Sequence, residues 1–402
     1  MPERELTVPR AGPAATMQAA VLEDVGKLVV RDVPVPPLPA GEVRVRVQAV
    51  GLCGTDVHIY AGHANYHRDH RGRVVPLSEA PQILGHEITG VVEEVGAGVT
   101  DVRPGDRVVV DQGRTCVGTG RSPRCEYCET GDSHQCEFYA EHGITGLPGG
   151  LAEYVIVPAL NVIPVTGALP PEEAALTEPL GCIVHSCELL VGAVARYRFG
   201  GERPIRTVLI LGAGPAGLLF TQYLRRVLGF EGLLLAVEPN ARKRELARRF
   251  GAEVIDPAEV DPSQAVQERT GGRRVELVIE ASGSATAFAA IPELARKQAT
   301  ILLYGHGHSG KDLSTMSGVQ FLEPTLLTPA GASGDFLEDG RPRTYARALR
   351  LLEEGTIEVG PIISHRYTSL EQVPDALARD YRDPSFVKGV VTLGGSLSGS
   401  RV

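Results

Sequence analysis

Residues 207–217, TVLILGAGPAG, constrain this chain more than any other stretch. An apolar strand run leads into glycines at 212, 214 and 217, and the pattern PAGLLFTQYLRRVL then reads as a helix. G-x-G-x-x-G spacing alone is weak in a chain with 47 glycines. Its context is informative: it follows a strand, opens a helix at Pro215, and precedes a second strand ending in Glu238. Glycines at these places allow a tight turn and close approach of a pyrophosphate to the positive helix N-terminus. A glycine turn that binds nothing is the plainer alternative, and the context disfavours it. Glu238 lies where a carboxylate can bind the two ribose hydroxyls of a dinucleotide. That charge repels a 2′-phosphate, so NAD is favoured over NADP. Arg242, Lys243 and Arg244 pull the other way, because a basic side chain can hold a phosphate.

The texture around this motif predicts the rest of the architecture. GLLLAVEPN, ARKRELARRFG, VELVIEASG and ATILLYGHG alternate strand with helix, which implies a doubly wound parallel sheet over residues 185–344. From Met17 to Val165 the chain reads as β, with EVRVRVQAV and DRVVV alternating between PAG, GAG and RPGD turns. A β-rich first domain is therefore expected over 17–184. The helix pattern RPRTYARALRLLEEG leads to a tail, SHRYTSLEQVPDALARDYRDPSFVKGVVTL, with a helix and then a strand; residues 345–402 are expected to return to the first domain. Residues 1–16 read as a polar, Pro-containing extension without the apolar core of a secretory signal. The 402 residues suffice for two well-filled domains. A net charge of -9 argues against a general nucleic-acid binder, and no apolar run of membrane-spanning length is read from the sequence.

Two sets of residues suggest metal. Seven cysteines is an odd number, and Cys125, Cys128 and Cys136 form C-x2-C-x7-C. That suits metal thiolates in a reducing cytoplasm better than a disulfide framework. Thiolates so spaced can wrap a tetrahedral Zn2+ in a lobe over about residues 112–140. Cys116 is the best candidate for a fourth ligand and His134 its rival. The second set is dispersed: Cys53 in LCGTDVHIY, His86 and Glu87 in GHE, Glu178 in TEPLG. Cys, His and Glu converging on one ion are what an open, catalytic zinc site requires. Taken singly, Cys53 reads equally as a small buried residue, His86 as a core histidine, and Glu178 as a helix-entry carboxylate before Pro179. Cys182 and Cys187, on an apolar helix, read as structural.

CGTD, GHE, VRPGDRV, the cysteine lobe, EPLG and VLILGAGPAG occur in the order seen in zinc-dependent medium-chain alcohol dehydrogenases, which the chain resembles from Met17 onward. EPLG resembles the polyol (sorbitol) and threonine dehydrogenase branch, and CGTDVHIY and EPNARKRELARRFGA are similar to threonine 3-dehydrogenases. The resemblance implies an α/β protein: a GroES-like β-rich catalytic domain, a Rossmann domain, and an active site in the cleft between them. It implies catalytic zinc on Cys53, His86 and Glu178, with Glu87 as an outer or alternate ligand. It also implies structural zinc on Cys116, Cys125, Cys128 and Cys136, and dinucleotide binding by Gly212, Gly214, Pro215, Gly217, Glu238 and Arg242. By the same likeness Thr55 hydrogen-bonds the oxygen at the zinc, His58 passes its proton onward, and Asp56 orients His86.

The implied reaction is NAD-dependent oxidation of a secondary alcohol of polyol, sugar or hydroxy-amino-acid type, by a cytoplasmic homodimer or homotetramer acting on a small molecule, with no nucleic-acid or membrane partner. The rivals are threonine 3-dehydrogenase proper, a zinc-free NADPH quinone reductase, and a nucleotide-binding protein without activity. The chain departs from the family pattern twice. The lobe usually runs C-x2-C-x2-C-x7-C, and here the first cysteine is displaced. Residues 62–84, carrying His63, His67 and His70, form a longer insert, read as a pocket cover, a subunit contact or a solvated loop.

Overall fold

A computed structural model describes residues 15–305 and 318–394. Most of the expected N-terminal extension 1–16, residues 1–14, lies outside the described residues, and the first strand, Thr16–Asp24, begins at the extension's last residue.

The second half builds a six-stranded sheet in which every pairing is parallel. Numbered along the chain, Thr207–Leu211, Leu233–Val237, Glu253–Ile255, Val275–Glu280, Ala295–Leu303 and Thr325–Leu327 lie in the order 3-2-1-4-5-6. Strands Thr207–Leu211 and Val275–Glu280 are buried at every residue, because crossover helices cover both faces of a parallel sheet. The order reverses between these two strands, and a ligand crevice opens at such a reversal, outside the carboxyl ends. Gly212 occupies that place at φ +95°, a left-handed conformation open to glycine without steric cost. Gly217 is required differently: a Cβ there would lie 2.0 Å from the Gly212 carbonyl oxygen.

The first half and the C-terminal tail build a seven-stranded mixed sheet around the strand Glu42–Leu52, beside a three-stranded and a two-stranded sheet. Val43, Val45 and Val47 point into the core while Arg44 and Arg46 face outward, the period-2 alternation of a half-buried strand. This strand pairs antiparallel with Glu87–Val95 on one side and with Lys388–Thr392 on the other. Register sets Gly51 opposite Glu87 and Leu52 opposite Gly389. Residues 53, 87 and 388, from three distant parts of the sequence, thus arrive at one end of one sheet.

The helix Thr177–Gly192 joins the halves, and one hydrophobic core runs through both, from Ala49, Leu180 and Val390 to Ile210 and Leu218. By length and composition the helical run Pro171–Gly192 could cross a membrane, which corrects the sequence reading that no such run exists. Its apolar window is 72% buried inside the protein, and the run is the core helix between the two sheets.

Candidate active site

Cys53 is the residue before the short helix Gly54–Tyr60. Its N–H donates to Asp56 Oδ2 at 2.8 Å, and the other Asp56 oxygen accepts from the Gly85 N–H at 3.1 Å. Asp56 is fully buried and therefore ties the Cys53 turn to the residue preceding His86. His86 Nδ1 lies 3.6 Å from Asp56 Oδ1, within ion-pair reach but beyond a hydrogen bond. Burial works to lower the His86 pKa; Asp56 and Cys53 outweigh it and hold it well above the usual imidazole value. Sulfur of Cys53, a ring nitrogen of His86 and a carboxylate oxygen of Glu87 all lie within 4.8 Å of one another.

Glu87 is fully buried and split in function. Lys388 Nζ contacts its Oε1 at 2.5 Å, while Oε2 is buried without a hydrogen-bond partner. Gly51 makes room for that carboxylate, since a Cβ there would lie 1.9 Å from Oε2. Lys388 is itself buried; desolvation lowers its pKa, but Glu87 and Cys53 together raise it above the ordinary lysine value. An unsatisfied buried carboxylate oxygen beside a thiol and an imidazole is a donor set that fits a zinc ion, and a cation there would supply the partner that Oε2 lacks.

Glu178 lies outside that three-residue group. Its Oε1 accepts from Gln112 Nε2 at 3.2 Å and from the Cys182 thiol at 3.4 Å. Burial raises its pKa to about 7, with His86 opposing and Glu87 adding to the rise. The same Gln112 holds Tyr345 through its Oε1. The structure thus brings Cys53, His86 and Glu87 together and sets Glu178 behind them on a polar shelf.

Thr55 Oγ1 is 3.7 Å from the Cys53 sulfur, and His58 follows one turn later with its ring centroid 6.0 Å from that of His63. The 62–84 insert folds back over this end. Asn65 accepts from the His67 N–H and donates to the Val75 carbonyl, and Arg73 pairs with Asp69 and Glu79. The His67 ring packs against Gly146. Desolvation raises the pKa of Tyr66 on this insert, with Glu141 and Cys53 contributing. Tyr381 reaches the same place, its hydroxyl facing Gly54.

Cys116, Cys125, Cys128 and Cys136 are all buried, none is in a disulfide, and their sulfurs lie within 4.8 Å of one another. Burial raises the Cys136 thiol pKa, and its Sγ accepts from the N–H groups of Phe138 and Cys116, each at 3.4 Å, which offsets part of that rise. Burial pushes the Cys125 thiol up, but backbone N–H groups outweigh it and bring it to about 7. His134 is elsewhere: its Nε2 is 3.3 Å from Asp111 Oδ1 and its Nδ1 accepts from the Ala332 N–H at 3.1 Å. Four thiols and no imidazole converge, a closed donor set that fits structural zinc.

At the glycine turn, a Cβ on Gly214 would meet nothing within 4 Å, while Gly214 opens the helix Pro215–Gln222. Glu238 Oε2 accepts from the Ala213 N–H at 2.7 Å and its Oε1 from the Asn240 N–H at 2.9 Å, so the carboxylate also braces the turn. Arg242 pairs with Glu245 on the exposed side of the next helix, and Arg244 with Asp256. Tyr304, at the carboxyl end of the fifth strand, links the two sites. It packs edge-on against Phe220 at 5.2 Å, and burial, with the charges of Cys182, Glu178 and Cys53 adding, holds its hydroxyl well above the usual phenol range. Lys388, Gln112, Tyr304, Tyr66 and Tyr381 were missed from sequence, where no motif marks them.

Comparison with known proteins extends this picture. Residues 39–167 match the family described as the alcohol dehydrogenase GroES-like domain, and 215–354 match the zinc-binding dehydrogenase family. The chain is 33% identical over 351 residues to an L-threonine 3-dehydrogenase of Pyrococcus abyssi, covering 87% of this chain and 90% of the relative. It is 27% identical to an L-galactonate-5-dehydrogenase of Escherichia coli, covering 94% and 99%. A zinc-binding dehydrogenase of Sinorhizobium meliloti, solved with NADP, superposes with a TM-score of 0.77 at 31% identity, covering 94% and 99%.

Proposed function

This chain belongs to the zinc-dependent medium-chain alcohol dehydrogenases, and on that premise we propose that it oxidises a secondary alcohol bearing further polar groups, with NAD as hydride acceptor. One observation carries the reading: Cys53, His86 and Glu87 converge within 4.8 Å at the end of the sheet.

Cys53 and His86 hold the zinc, with a carboxylate from Glu87 or Glu178 completing the set. When bound, the ion supplies Lewis-acid polarisation of a hydroxyl oxygen. Asp56 fixes the His86 ring from behind. Lys388 neutralises the inner oxygen of Glu87 and leaves the outer one for the site. Thr55 and His58 carry the hydroxyl proton outward along one face of their helix, and His58→Ala slows turnover most at low pH. Glu238 holds the ribose hydroxyls and excludes a 2′-phosphate, while Arg242 and Arg244 are engaged by Glu245 and Asp256. Glu238→Ala accordingly weakens NAD more than NADP. The Tyr381 hydroxyl facing Gly54, with Thr55 and His58 on the same helix, gives this end of the site hydrogen-bonding capacity, which suits a polyol, an aldonate or a hydroxy-amino acid better than a simple alkanol. The threonine and galactonate dehydrogenases above are named for substrates of that kind.

The test is a panel of L-threonine, alditols and aldonates read by NADH absorbance, with zinc measured on the same sample. Turnover of at least one such alcohol, faster with NAD than NADP, is expected. A zinc-loaded sample that oxidises none of them ends the proposal.

A further inference from the structure

A cavity lies at the amino-terminal edge of the dinucleotide-binding sheet, opposite the glycine turn and outside the proposed reaction. It is an open depression of about 910 Å³, and five cations line it: Arg196, Arg273, Arg274, Arg296 and Lys297. In a chain of net charge -9 such a concentration is unexpected. Buried Glu276 faces them from beneath, 2.6 Å from Arg296 and 3.8 Å from Arg273. Its other oxygen accepts from the Thr207 N–H at 2.9 Å. Glu323 is the other carboxylate at the wall, 3.3 Å from Gln298 Nε2. Positive charge therefore remains in excess.

The backbone is also unusual here. Among the described residues, Arg274, Gln298 and Glu323 are the non-glycine residues with positive φ, at 63°, 60° and 45°, and all three line this cavity. Gln298 sits where the pairing between the fourth and fifth strands shifts register, and its N–H donates to the Leu322 carbonyl at 2.6 Å. Left-handed non-glycine residues are sparse, and they gather at ligand clamps and other functional places. Two aromatic rings complete the wall. Tyr197 has the guanidinium carbons of Arg196 and Arg296 5.7 and 5.0 Å from its centroid, and Phe321 is 81% exposed.

We infer that this cavity binds a polyphosphate anion. Guanidinium forks match phosphate oxygens in pairs, and several on one wall suit adjacent phosphate groups better than a single carboxylate. The exposed Phe321 ring offers a stacking plate for a base, so the chemistry is shared by inorganic polyphosphates and nucleoside polyphosphates.

The test is calorimetric titration of the full chain with tripolyphosphate, under saturating NADH so that the glycine turn is occupied. The wild type binds. The triple variant Arg196→Gln, Arg273→Gln, Lys297→Gln binds at least about tenfold more weakly and keeps the wild-type KM for alcohol and dinucleotide. Arg296 is left in place because Glu276 depends on it. ADP binding more tightly than pyrophosphate, with the excess lost in Phe321→Ala, assigns the nucleotide source; equal binding assigns the inorganic one. No binding by the wild type, or equal binding by the triple variant, overturns the inference. A triple variant of lower sedimentation mass overturns it too, since the face would then join copies of the chain.

Discussion

The two groups of metal-ligating residues are assembled in opposite ways. The lobe draws four thiols from 21 consecutive residues, seals them from water, and surrounds them with backbone N–H donors. The other group draws a thiol, an imidazole and a carboxylate from the ends of separate elements, and sets them among Asp56, Lys388 and Glu178. A closed thiolate cage can do little except hold its segment in shape. A mixed group with an unsatisfied oxygen and titratable neighbours can bind a substrate and move a proton.

The largest expected effect tests that division directly. Cys53→Ala should lose one of two zinc ions per chain and about 10⁴-fold in turnover, about 5.5 kcal/mol of transition-state stabilisation, with little change in melting temperature. Cys128→Ser should lose the other ion and melt much earlier, while the folded fraction keeps its chemistry. Zinc content, melting curves and rates on the same preparations decide it. If both variants fail in the same way, the two groups do not differ in role.

Lys388→Met sharpens the contrast next. Removing one partner of a buried ion pair costs about 3–5 kcal/mol, because the remaining charge is stranded. That cost should appear in full in metal-stripped protein and shrink when zinc is restored, since a cation beside Glu87 Oε2 takes over its neutralisation. Denaturant unfolding with and without zinc measures the difference. An equal loss in both states would mean that Glu87 does not face the ion.

His142 is tied to Gln112, the partner of Glu178: its backbone N–H donates to the Gln112 carbonyl and its Nδ1 donates to the Pro148 carbonyl at 2.9 Å. Desolvation lowers its pKa from 6.5 to about 4, so it is buried neutral. The folded pKa is depressed, so its contribution is present above the unfolded value and is lost as pH falls from 6.5 toward 4. That loss amounts to about 3 kcal/mol. His142→Gln keeps the donor to Pro148 and should flatten the stability profile in that window alone. Unfolding at pH 7 and pH 4.5 checks it; equal slopes in both proteins would place the acid sensitivity elsewhere.

The same contrast explains what could be read from the sequence. The glycine turn, the Cys125–Cys136 spacing and the alternation in EVRVRVQAV express their structure within a dozen residues, so local pattern exposed them. Cys116, nine residues upstream of Cys125, was still within a flexible loop's reach. Glu178 was marked by its motif, but the motif did not say that Glu87 stands closer to Cys53 and His86. Lys388 was invisible: its pairing with Glu87 spans 301 residues and exists only because two strands flank Gly51 in register. Tyr304 and Tyr66 carry no pattern either, since a phenol at a strand end or in a loop reads as ordinary. Charge and hydropathy also gave no sign of the cationic cavity, whose four arginines come from three separate stretches of the chain.

The smallest effect bears on the residue that sequence left as a rival within the lobe. His134 lies two residues before Cys136, yet its ring turns away from the sulfurs and joins Asp111 to the Ala332 backbone. Neighbouring Ser133 exchanges hydrogen bonds with Gly334. His134 thus fastens the lobe to the segment entering the helix Arg343–Glu353, and it does not help to close the cage. His134→Gln can still donate to Asp111 and accept from Ala332, though not with one rigid ring. It should therefore retain the lobe zinc and lose about 1–2 kcal/mol. Cys116→Ser, by comparison, should release the ion. Retention of zinc by Cys116→Ser and its loss from His134→Gln would reverse the assignment of the fourth ligand, and with it the claim that the closed group is built from sulfur alone.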